Sequence, residues 1–421
     1  MSMRISSQTI FDIGVKQIGS LNSAIAHTQQ QLSTGNKNLT ASDDPIAAAR
    51  ALEVTQSAGI NTQLMTNRQS ANSSLSQEDV ALSSTMTLIQ DVMTLATNAG
   101  DGALSQADRG SLATALQGKL NDLLGQANTA DGVGGYLFSG YSSNTVPFSL
   151  NATGADYAGD QGQRSLQIGS TRSIPVSDSG SSVFENNATG NGTFLTGADP
   201  GNYGRGGTGI ISAGSVTSPA ALTGNDYEID FAVVPPAGPG SVATSTYTIL
   251  NKTTGLNVPP APVPAVGIPY TTGTPISFDG LTFNVQGAPA DGDKFTVVPS
   301  TKQSIFTTVT SLITALQAPG SGPAGQASLS NALNQANLAL NNAHDNILTV
   351  RASVGSRMNE LDYLDSSGGD LDVAYKTTLS GLQDVDPVKA ISDFTQQQTT
   401  LDAAQKSFKT LSGLSLFNYI T

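Results

Sequence analysis

Few side chains in this sequence are placed for chemistry. His27 and His344 are its two imidazoles, and each falls inside a helical apolar repeat among small and polar neighbours. A lone imidazole in that setting reads as a surface or edge residue rather than a base or metal ligand. Gly204-Arg205-Gly206-Gly207-Thr208-Gly209 matches the spacing of a dinucleotide-binding loop, but that chemistry needs a strand before the glycines and a helix N-terminus after them. Neither is apparent, so a glycine-rich loop is expected. Asp291 and Asp293 flank Gly292 and could chelate calcium, yet two carboxylates without further oxygen ligands read as a solvated turn. Asn151, Asn187, Asn191 and Asn251 each begin an Asn-x-Thr tripeptide, which arises readily by chance in a chain rich in Asn and Thr. The absence of Cys excludes a thiolate nucleophile, a disulfide framework and a Cys-based metal site. The expectation is a protein that is not an enzyme, with no catalytic, metal or cofactor residues.

Composition narrows the partners. The 421 residues carry a net charge of −13, no Trp and only 5% aromatics. Such a chain repels phosphate and offers no stacking surface, so nucleic acid is not a partner. Charged residues make up 12%, about half the usual share, which suits repeated packing against like copies. No run of 18 apolar residues is present, so no membrane span is expected. The start Met1-Ser2-Met3-Arg4-Ile5-Ser6 has no apolar core before a cleavage site, so no cleaved signal peptide is expected either.

The elements that give the chain its shape are helices at both ends. Over residues 333–364 the core-type positions fall three and four apart: Leu333, Ala336, Leu340, Ala343, Ile347, Val350, Val354, Arg357, Leu361, Leu364. A 3.5-residue repeat keeps one stripe on one helix face, and that stripe must pack on another helix. The same spacing recurs in Leu75, Leu82, Met86, Ile89, Met93, Ala96 and in Ala113, Leu116, Leu120, Leu123, Ala127. It recurs at the extremes in Ile18, Leu21, Ile25, Thr28, Leu32 and in Ile391, Phe394, Leu401, Ala404, Phe408, Leu411, and Ile10 joins the first set as an expected interface residue. The inner stretches read as an intramolecular core; the terminal ones, with Gln- and Ser-rich remaining faces, read either as part of that bundle or, equally well, as seams shared with copies of the same protein. Residues 141–300 hold fifteen of the 19 prolines and must be mainly β with loops. Tyr227, Ile229, Phe231 and Val233 alternate with polar or small residues as in a one-face-buried strand. Ile276 and Phe278, then Asp279-Gly280, then Leu281, Phe283 and Val285 read as a tight hairpin. Further short strands are expected at Leu166 and Ile168, Tyr247 and Ile249, and Phe295 and Val297. Residues 186–209 read as a long loop and 259–269 as an extended linker.

Two stretches carry more specific information. In LSTGNKNLTASDDPIAAAR, at residues 32–50, Gly35 is suited to stop a helix in the left-handed conformation, Asp44 to cap the next one, and Pro45 to occupy its first turn. In VRASVGSRMNEL, at residues 350–361, Arg357 sits on the apolar stripe and needs a carboxylate; Asp43, Asp44 and Glu53 are the candidates. These two stretches, with LSLFNYI at residues 414–420, resemble the N- and C-terminal signatures of the bacterial flagellin superfamily. Their structural-motif positions are Gly35, Asp43, Asp44, Pro45, Arg50, Gly355, Arg357 and Asn359. LLGQANT at residues 123–129, GGYLFSGY at 134–141 and Val146-Pro147-Phe148 are most similar to the hook-associated junction branch of that superfamily.

The resemblance covers about residues 1–150 and 300–421. It implies an α+β multidomain fold, with a long antiparallel coiled-coil bundle built from both termini and a mainly-β insertion. Residues 1–40 with 380–421 would form an inner tube, disordered when free; 41–140 with 301–379 a helical core; 141–300 a variable outer domain. The implied role is a flagellar subunit forming a homo-oligomeric ring between a hook-associated protein and the flagellin filament. Such a subunit is exported unfolded through the type III apparatus, with a chaperone on its C-terminal helix, and ends up extracellular. Two alternatives stay open at this point: a flagellin filament subunit, or a secreted adhesin-like binding module in the β insert.

Overall fold

A computed structural model describes residues 7–132, 134–235, 243–258, 267–318 and 320–413. Its helices are α1 (Ser7–Thr34), α2 (Pro45–Ala99), α3 (Gln106–Ala127), α4 (Gly201–Arg205), α5 (Ile305–Gln317), α6 (Gly322–Gln383) and α7 (Pro387–Gly413). The β structure lies between α3 and α5. The chain divides into two compact units, residues 1–67 with 363–421 and residues 68–362, and α2 and α6 each continue through the boundary.

The predicted stripes form the core of the central unit. Leu75, Leu82, Ile89, Ala96, Leu116, Leu123, Leu340, Ile347 and Val354 are all fully buried. Burial of this kind contributes about 1.5–3 kcal/mol per large side chain. Ser105 caps α3 in a reciprocal pair with Asp108, satisfying two orphan amide donors of the first turn. An aromatic cluster joins the helices to the first part of the insert: Phe306 of α5 lies 5.1 Å from Phe148 and 5.9 Å from Phe184, ring centroid to centroid.

Among the described residues the larger sheet has six antiparallel strands. Its main path runs Leu256–Val258, Thr244–Asn251, Tyr227–Val234, Lys294–Pro299, Phe194–Ala198, with Ile268–Pro269 beside Thr244–Asn251. A second sheet pairs Pro275–Phe278 with Leu281–Gln286. Tyr227, Ile229 and Phe231 point into the apolar core of the insert with Phe283, Val285 and Phe295, as their alternation requires. The hairpin is as expected: Phe278 pairs with Leu281, and Asp279 and Gly280 both have positive φ (42° and 79°). Two positive φ values define the turn whose twist matches the flanking strands.

Residues 186–209 are ordered structure rather than a loop. They contain the strands Asn187–Ala188 and Phe194–Ala198 and helix α4. The signal was masked because Asn191 folds its own turn, accepting from the backbone N–H groups of Thr193 and Phe194, and glycines separate the apolar residues. In the glycine motif a strand does precede, but the glycines end a helix instead of opening one: Gly206 is the left-handed cap of α4. One side-chain oxygen of the exposed Asp291 and both of the buried Asp293 are engaged by groups of the insert. Asp291 accepts from the Val233 amide, and Asp293 accepts from the Ala290 amide and pairs with Arg205. The expected linker at 259–269 lies largely outside the described residues, as do residues 414–420.

Candidate functional site

In the terminal unit, α1 and α7 pack on one another in antiparallel fashion within a single chain. Phe11 and Phe408 lie 5.0 Å apart, ring centroid to centroid, and a Cβ on Gly14 would sit 2.5 Å from the Phe408 ring, so only glycine permits this approach. Thr28, buried, donates to Gln397 Oε1 at 3.1 Å. At the far end the Lys37 amide donates to the Gln383 carbonyl and the Val385 amide to the Gly35 carbonyl, both at 2.8 Å.

This seam is only half closed. Ile18, Leu21, Ile25, Leu32, Phe394, Leu401 and Phe408 are all of intermediate burial, and Ile391 is 56% exposed. The side chains of Ile10 and Leu411 lie outside the described residues. On the same unit Phe11 is 51% exposed, Ile13 57%, Ile46 70%, Leu52 71% and Val388 78%. Water-facing apolar groups this numerous, spread over α1, α2 and α7, mark a unit with room for further partners.

The loop between α1 and α2 follows the sequence reading. Gly35 has φ 74° and its amide donates to the Gln31 carbonyl, ending α1. Asp44 accepts from the Ala47 amide at 2.9 Å and Pro45 begins α2. Asp43 accepts from the amides of Leu39 and Thr40, and the Thr40 hydrogen bond holds its carboxyl below the usual range. His27 stands 3.9 Å from that carboxylate. Arg50 and Asn359 are exposed, and Gly355 faces open space; nothing in the structure explains a requirement for these three residue types.

Arg357 is where the expectation fails. Its partner is not Asp43, Asp44 or Glu53 but Asp178, from the β insert, with which it forms a short ion pair; it also donates to the Pro175 carbonyl at 3.2 Å. Both side chains are about nine-tenths buried, at 11% and 10% exposure. Sequence distance hid this pair, because a partner 179 residues away on an unpatterned stretch leaves no periodic trace.

A row of amides on α6 was also missed. Asn331 accepts from the Ile211 amide and donates to the Gly209 carbonyl; Gln335 donates to the carbonyl of Thr196. Asn342 donates to those of Ala188 and Gly190, and Asn346 to those of Ser182 and Val183. Their spacing of four and seven follows the flank of the apolar stripe, a signal that the heptad reading could have used.

Comparison with known proteins agrees with this architecture. Residues 5–143 match the family model for the bacterial flagellin N-terminal helical region. Flagellar hook-associated protein 3 of Escherichia coli (strain K12) is 28% identical over 416 residues, 99% of each chain. The crystal structure of the flagellar junction protein FlgL from Legionella pneumophila is similar with a TM-score of 0.70 and 31% identity, covering 80% of this chain and 100% of that one. That of Xanthomonas campestris FlgL has a TM-score of 0.68 and 26% identity, covering 78% and 99%.

Proposed function

We propose that this chain, which belongs to the flagellar hook-associated protein 3 family, is a structural junction subunit of the bacterial flagellum, joining the hook side to the flagellin filament. The observation that supports a role in assembly is the half-closed α1/α7 seam, with Ile391 and Phe11 more than half exposed. In our reading copies of the chain form a ring, in which Ile10, Ile18, Leu21, Ile25, Leu32, Ile391, Phe394, Leu401, Phe408 and Leu411 complete their burial against neighbouring subunits. On one side of the ring stands another hook-associated protein, on the other flagellin. Ordering of the terminal helices and assembly are then coupled, because each added neighbour stabilises the ordered form.

The same reading has the subunit leave the cell unfolded through the flagellar type III apparatus, with a cytoplasmic chaperone on the C-terminal helix beforehand, and function outside it as a non-catalytic part. Among the described residues no helix is long and apolar enough to cross a membrane. The test is complementation of a deletion strain, which should carry bare hooks and shed filament monomers into the medium. A copy lacking about the last 20 residues should yield a folded, soluble protein that restores no filament; normal swimming with that copy would remove the terminal helices from the junction.

A further inference from the structure

The central unit contains a buried ionisable cluster for which the junction role has no use. α2 supplies Glu78, 1% exposed; α6 supplies Arg357; the segment after the strand Ser173–Pro175 supplies Asp178. The Asp178 amide donates to Glu78 Oε1 at 3.0 Å, Gln163 donates to Asp178 Oδ1 at 2.7 Å, and Arg357 pairs with the remaining carboxylate oxygen. Glu78 Oε2 is buried and, among the described residues, has no hydrogen-bond partner. Two carboxyl groups thus share one guanidinium, and ionising both would leave a net charge of −1 away from water, which is costly. Burial and the charge of Asp178 raise the Glu78 acid to about 8, against the opposing pull of Arg357.

The same stretch is fastened at other points. Arg68 of α2 donates to the Ile168 carbonyl at 3.0 Å, and Glu360 of α6 pairs with Arg172. Strands Ser165–Gln167 and Ser173–Pro175 are therefore tied to both helices, and the tie at Glu78 is the one whose proton-binding carboxyl is sealed from water.

We propose that Glu78, Asp178 and Arg357 form a proton-operated clasp, which fastens residues 163–179 of the insert to α2 and α6 while Glu78 is neutral and loosens them when it ionises. The sign follows from linkage. Below the unfolded value of 4.5 Glu78 is protonated in both states; between 4.5 and about 8 the folded state alone keeps the proton, so stability falls as pH rises through that window.

The test compares the full-length chain with Glu78→Gln, an uncharged shape match, by thermal unfolding from about pH 5.5 to about pH 8.5. Hydrogen exchange over residues 163–179, corrected for the intrinsic pH dependence of exchange, is read on the same samples. The wild-type folding constant should drop about tenfold or more relative to the variant across this range, with faster exchange in that segment of the wild type only. A stability gap that stays constant with pH, or exchange that rises equally in both proteins, would overturn the clasp. Should Glu78→Gln not fold, carbon-13 NMR of the wild-type glutamate carboxyls decides. One carboxyl titrating near the value for Glu78 is expected, and all of them titrating in the ordinary carboxylate range defeats the proposal.

Discussion

The terminal and central units use the same heptad grammar and reach different states of completion. In the central unit the stripe residues Leu82, Ile89, Leu116, Leu340 and Ile347 are sealed at 0% exposure. In the terminal unit the buried described residues are Thr28, Ala47, Ala51, Asn61, Gly368 and Ala390, none of them a large apolar side chain. The β insert separates the two cases: central helices pack on each other and on its strands, whereas the described residues of the terminal unit are helices and the turns that join them. An apolar stripe therefore states that a helix has partners, and its burial in the single chain states how many of them that chain provides.

This contrast can be attacked at positions of decreasing effect on the isolated chain. Phe306→Ala removes the ring that touches Phe148 and Phe184 and should cost about 3–5 kcal/mol in thermal or denaturant unfolding. A small loss would mean that the central core is not sealed as described. Arg357→Met strips Asp178 of its countercharge and should cost about 3 kcal/mol; unchanged melting would dismiss the buried pair. Asn346→Ala leaves the carbonyls of Ser182 and Val183 without their donor, and a loss of about 1–2 kcal/mol is expected, with faster hydrogen exchange over residues 182–187. Leu21→Ala combined with Leu401→Ala should lower the stability of the free chain by no more than about 1 kcal/mol per site, since both side chains are half-buried before assembly. The same double variant should fail to support motility. A variant that melts much earlier yet still swims would erase the distinction between the two units.

Much of the fold was legible because it is periodic. The stripes of α2, α3 and α6, the strand at Tyr227 and the turn at Asp279-Gly280 each follow from local rules of side-chain spacing and φ preference. What escaped was aperiodic and distant. Arg357 announced a need for a carboxylate, but nothing on its own stripe could point to Asp178 across the insert. Asp160 escaped for a similar reason: its carboxylate gathers the amides of Tyr141, Ser142 and Gly162, first of all that of Tyr141, which bring its acid down to about 2. In the sequence it is one more aspartate in a glycine-rich stretch. For the terminal seam, spacing identified the residues, while only burial distinguishes a half-satisfied surface from a finished one.

The amide row on α6 has a consequence of its own. Asn331, Gln335, Asn342 and most of the contacts of Asn346 address peptide groups and not the side chains that those peptides carry. The helix grips the path of the main chain and is indifferent to its decoration. Residues on the outward side of that path can drift in identity, or be rewritten by an engineer, without asking the helix to change in return.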